Sequence, residues 1–195
     1  MDSHPDDTDV MVGRVYMIYD ATRTALLNKF YYGRRLAKYR RYNFWMEILI
    51  AAGATTSGVA GLALWKTEYG QAVWGVLSAL SIILATLKPS LKFTEKVESY
   101  AKLYGEYTGA YIKMSVHLQD IQIERMVTDQ RFKAFGDLRV QAAELESLGD
   151  PVRDEVLIRQ LEAEVNKAIP IDRLWVPRAL ELSADDHHGV SAGIV

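Results

Sequence analysis

Cysteine is absent from the 195-residue chain. Disulfides, CxxC redox motifs and thiolate zinc sites are therefore excluded, and the composition suits a reducing compartment. The opening stretch, residues 1–9, is acidic and polar and lacks the apolar core of a signal peptide. Insertion into a membrane would then be driven by internal segments. Recognisable catalytic motifs are missing too: there is no glycine-rich phosphate loop, no serine nucleophile elbow and no carboxylate pair in apolar surroundings. The histidines are His4, His117, His187 and His188. The His187-His188 pair beside Asp185-Asp186 reads as a polar tail, and His117 reads as a packing or surface residue. No catalytic, cofactor or metal residue is expected, and the chain is not expected to be an enzyme.

Little net charge remains either, with a formal value of -2. Mean hydropathy is near zero only because apolar and charged blocks cancel. The basic excess lies in the first 88 residues, next to the apolar block, which suits anionic lipid better than nucleic acid. Two runs hold no charge at all. Residues 48–65 read ILIAAGATTSGVAGLALW and residues 71–87 read QAVWGVLSALSIILATL. With their flanks, each is long enough at about 1.5 Å per residue to cross a hydrocarbon core about 30 Å thick. The short connection 66–70 makes them a helical hairpin.

The flanks orient it. Arg34, Arg35, Lys38, Arg40 and Arg41 precede the first run, and Lys88, Lys92 and Lys96 follow the second. The positive-inside bias places both outer flanks in the cytoplasm. Tyr39, Tyr42, Phe44 and Trp45 on one side, and Trp65, Tyr69 and Trp74 on the other, fall where interfacial aromatic belts belong. The single acid near the first run, Glu47, is expected to be solvated or paired with Arg40 or Arg41; if drawn inward, it becomes a functional candidate.

Outside the hairpin the pattern is helical. Residues 10–42 carry Tyr16, Tyr19, Leu26 and Phe30 roughly on one face. After Pro89 a long helix begins, with Val97, Tyr100, Tyr104, Tyr107, Tyr111, Met114, Leu118 and Ile121 spaced alternately by three and four, a heptad seam. Four tyrosines make that seam wide, suited to packing on another helix or a neighbouring subunit. The helix continues or breaks near Thr128, into a face of Phe135, Leu138, Ala142 and Leu145. Leu148-Gly149-Asp150-Pro151 reads as a stop and restart, with Asp150 as N-cap and a last helix over 151–168 carrying Ile158, Leu161, Val165 and Ala168 on one side. Pro170 and Pro177 bracket an irregular stretch, and the tail from Ser183 is expected to be disordered.

Small residues mark the spans. Gly53, Ser57 and Gly61 recur at intervals of four, as do Gly75 and Ala79, and Ser81 and Ala85. Such faces let helix backbones approach closely, and hydroxyls can bond across the contact. They pack the two helices of one chain together. Alternatively, part of the face meets neighbouring protomers or lines a pore, with Thr55, Thr56, Ser57, Ser78 and Ser81 supplying hydroxyls. Two spans cannot enclose a channel alone, so the second alternative requires an oligomer.

The order of parts resembles a known family. A basic, aromatic helix ends in Tyr39-Arg40-Arg41-Tyr42-Asn43, a tight hairpin follows, and Leu87-Lys88-Pro89 leads into a helix with Glu98, Tyr100 and Tyr104. Over about residues 30–130 this resembles the SLATT family, the two-transmembrane effector domains associated with SMODS nucleotidyltransferases and SLOG nucleotide sensors in bacterial conflict systems. The resemblance implies an inner-membrane, multi-pass effector that forms a pore or perturbs the membrane on a nucleotide signal made by a partner. It brings no catalytic residues. The chain has no recognisable nucleotide-binding domain, so sensing falls to a partner or to the 130–180 helices.

The expectation is thus an all-α protein. It comprises a disordered lead (1–9), a cytoplasmic amphipathic helix (10–42), a two-helix transmembrane hairpin (43–88), cytoplasmic helices (89–169) and an irregular tail (170–195). Its expected partners are membrane lipid, further copies of itself, and a nucleotide-sensing or nucleotidyltransferase protein, with no nucleic acid. The competing expectation is a membrane anchor or scaffold that recruits a soluble partner through its cytoplasmic helices.

Overall fold

Proline loses nothing in the first turn of a helix, where its N–H would have no partner. Pro5 accordingly opens α1, which runs from Pro5–Thr55 as one continuous helix, starting before Val10 and passing Gly33 without a break. In this computed structural model, residues 5–55 and 68–177 are described. After α1 come α2 (Glu68–Leu91), α3 (Phe93–Glu124), α4 (Asp129–Ser147), α5 (Glu155–Ala168) and a 3-10 turn (Ile171–Arg173). The architecture is all-α, with no strand among the described residues. Two compact units result. One comprises Met1–Tyr31 and Leu103–Val195, the other Tyr32–Lys102.

The first unit is a helical bundle. Val15, Ile18, Thr22 and Ala25 of α1 follow one another at steps of three and four and are all buried. This is the spacing that keeps one stripe of a helix facing a partner. Val15, Ile18 and Ala25 share a core with Met114, Leu118 and Ile121 of α3, Val127, and Phe135 of α4, while Leu174 and Trp175 pack on its edge. Tyr16 departs from the expected face: it is exposed, and Val15 and Ile18 take the inner positions.

On α3 the seam is occupied by Tyr100, Leu103, Tyr107, Met114, Leu118 and Ile121, with Tyr111 partly buried against the core. The expected Tyr104 is 38% exposed, and Leu103 is buried in its place. At about 100° per residue, positions 103 and 104 stand on opposite shoulders of the seam. The smaller, wholly apolar side chain goes in, leaving the phenol in water.

Helix α3 stops where the seam runs out. Arg125 takes a positive φ of 53°, and Thr128 caps α4, its side chain accepting from the Arg131 amide. Glu124 accepts from the Arg131 guanidinium at 2.6 Å, and that bond raises the guanidinium pKa above its ordinary value. Phe135 is fully buried, with Leu138 and Ala142 packed against the same core.

The restart of the chain falls later than Asp150. Helix α5 begins at Glu155 with Asp154 as N-cap, its carboxylate accepting from the Leu157 amide at 3.1 Å. Asp150 is engaged elsewhere: it accepts from the Tyr31 hydroxyl at 3.2 Å. The same hydroxyl accepts from the Asp154 amide at 3.2 Å, and Arg153 lies over the Tyr31 ring. One tyrosine of α1 thus sets where α5 starts. Leu161 and Val165 of α5 are buried as expected, whereas Ala168 is exposed.

The second unit holds the rest of α1, all of α2 and the first ten residues of α3. Helix α2 continues through Pro89, which lies in its last turn and costs it one hydrogen bond. The break comes at Lys92, with φ of 49°, and α3 starts at the next residue.

Candidate functional site

The second unit contains the features that bear on function. Tyr39 of α1 and Tyr100 of α3 meet with ring centroids 5.2 Å apart, and Phe93 lies 6.0 Å from Tyr39. Arg35 donates to the Tyr100 hydroxyl at 3.3 Å and stands over both tyrosine rings. Lys96 caps Tyr39 from the other helix, and Lys38 stands over Tyr42. Cation–π contacts of this kind hold basic side chains against aromatic faces and leave their charge toward the surroundings. Arg40 and Arg41 are exposed.

Above this belt the two helices run antiparallel. Lys88 of α2 reaches Glu47 of α1 at 3.3 Å, and the Asn43 amide donates to the same carboxylate at 3.0 Å. Of the two expectations for Glu47, solvation or pairing with Arg40 or Arg41, the pairing is not seen, and the cation beside it is Lys88. Seven residues along one helix put Arg40 about 10 Å away along the axis, whereas the returning helix brings Lys88 alongside. Glu47 keeps half its side chain in contact with the surroundings.

Further along, the Ser81 hydroxyl donates to the Leu49 carbonyl at 3.2 Å. Ser78, Ser81, Leu84 and Lys88 are the partly covered positions of α2, and they define one face. Ser81 therefore bonds across a contact within the chain. Gly75 and Ala79 lie on an uncovered side, and a Cβ added at Gly75 would meet nothing within 4 Å. Gly53 lies near the end of α1, while Thr56, Ser57 and Gly61 lie outside the described residues, as does most of the first apolar run.

Most of α2 is bare. Val73, Val76, Leu80, Ile82, Ile83 and Leu87 are all about half exposed or more. The stretch Tyr69–Leu91, 23 residues, is long and apolar enough to cross a membrane, and only 6% of its most apolar window is buried. It is the one such helix among the described residues. A core helix of a water-soluble bundle of this composition would have its apolar surface covered.

Two clefts lie among the described residues of the bundle unit. One, of about 240 Å³, opens between α1, α3 and α4 over Ala25, Asn28, Tyr107 and Met114, with Asp20 and Arg139 on its rim. Asn28 is a buried polar residue at 4% exposure. The other, between α1 and α5, is rimmed by Arg23, which bonds Asn166 and the Tyr19 hydroxyl. Among the described residues no group of His, Asp or Glu is arranged to hold a metal. His117 stacks edge-on to Phe135. His187 and His188 lie outside the described residues.

Sequence reasoning singled out Tyr39, Glu47 and Ser81, and missed Lys88 as the partner of Glu47. The signal was present: antiparallel helices joined by a short turn bring the start of one beside the end of the next. No protein-family model matches the chain, and no curated protein or solved structure is similar to it. The resemblance to the SLATT family therefore rests on the residues quoted for it.

Proposed function

We propose that the chain is a two-span protein of the bacterial inner membrane, of the SLATT type, with both termini in the cytoplasm. It acts as an oligomeric effector that opens a pore or perturbs the bilayer on a signal from a nucleotide-sensing or nucleotidyltransferase partner. The observation that carries the membrane part is the uncovered apolar surface of α2, closed at its basic end by Lys88, Glu47 and the Tyr39–Tyr100 belt. The assembly part is supported by Gly75 and Ala79, small residues on the uncovered side of α2, where a neighbouring helix in lipid can approach closely. Ser81 belongs to packing within each hairpin rather than to a lumen.

The test is membrane-potential dye uptake in bacteria expressing the chain together with its activating partner, beside Ser57→Leu, Gly61→Leu and Gly75→Leu. Depolarisation by the parent, lost in the variants while they still resist carbonate extraction, is the expected result. Depolarisation undiminished by all three substitutions would sink the packed pore.

A second reading, a membrane scaffold, is favoured by the uncovered Tyr104 on α3. There Tyr104→Ala abolishes capture of the soluble partner, and the small-residue variants leave it intact.

A further inference from the structure

Helix α1 leaves the aromatic belt with a graded flank. At about 100° per residue, Lys38, Arg41, Trp45 and Ile48 follow at steps of three, four and three, within an arc of about 80°. All four are exposed, Trp45 by 56%. The flank opens with two cations, passes through an indole and ends on a bare aliphatic side chain at the start of the apolar run.

The chain does not answer the charges on it. Neither Lys38 nor Arg41 makes an ion pair or a hydrogen bond among the described residues. The nearest acid along α1, Glu47, stands half a turn round from Lys38 and is taken by Lys88 and Asn43. Lys38 is also held in place. Its ammonium lies 5.9 Å from the centre of the Tyr42 ring, and that ring packs edge-on to Tyr39 and against Phe93 of α3.

What covers this flank has to be anionic at one end and hydrocarbon at the other. A nucleic acid or an acidic peptide would answer the two cations and leave Trp45 and Ile48 bare. An anionic phospholipid presents its phosphate, its ester region and its acyl chain in the same order as the helix presents cation, indole and aliphatic residue. The Arg41 guanidinium offers the fork that suits a phosphate.

We infer that Lys38 and Arg41 hold the phosphate of an anionic phospholipid in the cytoplasmic leaflet, with its acyl chain laid along Trp45 and Ile48. This rests on the proposed membrane reading and deepens it. The positive-inside bias counts charges on a side of the membrane, whereas here one lipid class is assigned to one flank of one helix.

The test offers the full chain, purified in detergent, equal amounts of phosphatidylglycerol and phosphatidylcholine, and counts the retained lipid by native mass spectrometry. Phosphatidylglycerol should be retained over phosphatidylcholine. Lys38→Gln and Arg41→Gln should each lower its retention about fivefold, the worth of one basic residue near an anionic surface, and Trp45→Ala should lower it too. Arg40→Gln, on the Glu47 side of the same helix, should leave it unchanged, and inorganic phosphate in the buffer should not displace it. All four side chains are at least partly exposed, so the helical circular dichroism should not change. Equal retention of the two lipids would overturn the site. A loss in Arg40→Gln as large as in the other two would also overturn it, in favour of diffuse attraction. Displacement by phosphate, with retention indifferent to Trp45→Ala, would assign the cations to free phosphate and overturn the lipid. Carbonate extraction of membranes holding the same chain separates the two levels: chain retained without lipid preference overturns the lipid site alone, whereas chain extracted overturns the membrane reading.

Discussion

The two units of this chain treat apolar side chains in opposite ways. In the bundle, Phe135, Tyr107, Met114 and Leu161 are all but fully buried, and burying such side chains contributes about 1.5–3 kcal/mol each. In the hairpin unit the most apolar helix is the least covered, with Ile82 67% exposed. On the proposed membrane reading, exposure cannot be read as tolerance throughout the molecule: water selects the inside of the bundle, and lipid would be the solvent around the outside of α2.

Five substitutions break or sharpen that contrast. Phe135→Ala empties the centre of the bundle core and should cost about 3–5 kcal/mol. It would be seen as a large drop in the unfolding midpoint of the bundle, with the chain still retained in membranes. Leu103→Ala should cost about 2–5 kcal/mol, while Tyr104→Ala next to it changes stability by less than about 0.5 kcal/mol. Equal losses from the two would mean that the seam runs through Tyr104 after all. Ile82→Arg is the sharpest comparison, because at an exposed position in water it would be nearly silent. In lipid a central arginine costs about 2.5–3.5 kcal/mol on insertion scales, so the membrane-retained fraction should fall; unchanged retention would argue for water around α2. Smallest is Tyr31→Phe, which removes a hydroxyl shared by Asp150 and the Asp154 amide. About 1 kcal/mol is expected, read as faster amide exchange in the first turn of α5.

Much of this was legible in the residues. The all-α character, the seam from Tyr107 to Ile121 and the inward face of α4 follow from apolar spacing, while the break near Thr128 was one of two alternatives. The errors have separate physical causes. Leu103 and Tyr104 sit on either shoulder of one stripe, and spacing alone cannot choose between them. Asp150 and Asp154 are both plausible caps, and the choice was made by Tyr31, more than a hundred residues away in the chain. Pro89 reads as a boundary, yet α2 runs on to Leu91 at the cost of one hydrogen bond. For Glu47, local reasoning offered solvation or the nearby arginines; it stays half exposed, and its partner came from the returning helix.

The joint at Lys92 sets a limit on the hairpin unit. A single residue, held in a conformation that side chains rarely adopt, separates α2 from α3. It also places a cation just past the end of α2, where the helix dipole favours one. With Lys88 one turn earlier, the chain has two positive charges at the foot of its apolar helix and no slack below them. On the proposed membrane reading the two lysines, paired with Glu47 and Glu95, work as a plumb mark: they stop α2 from sinking further into a bilayer, and a thicker membrane has to be met by tilt or local thinning rather than by paying out more helix.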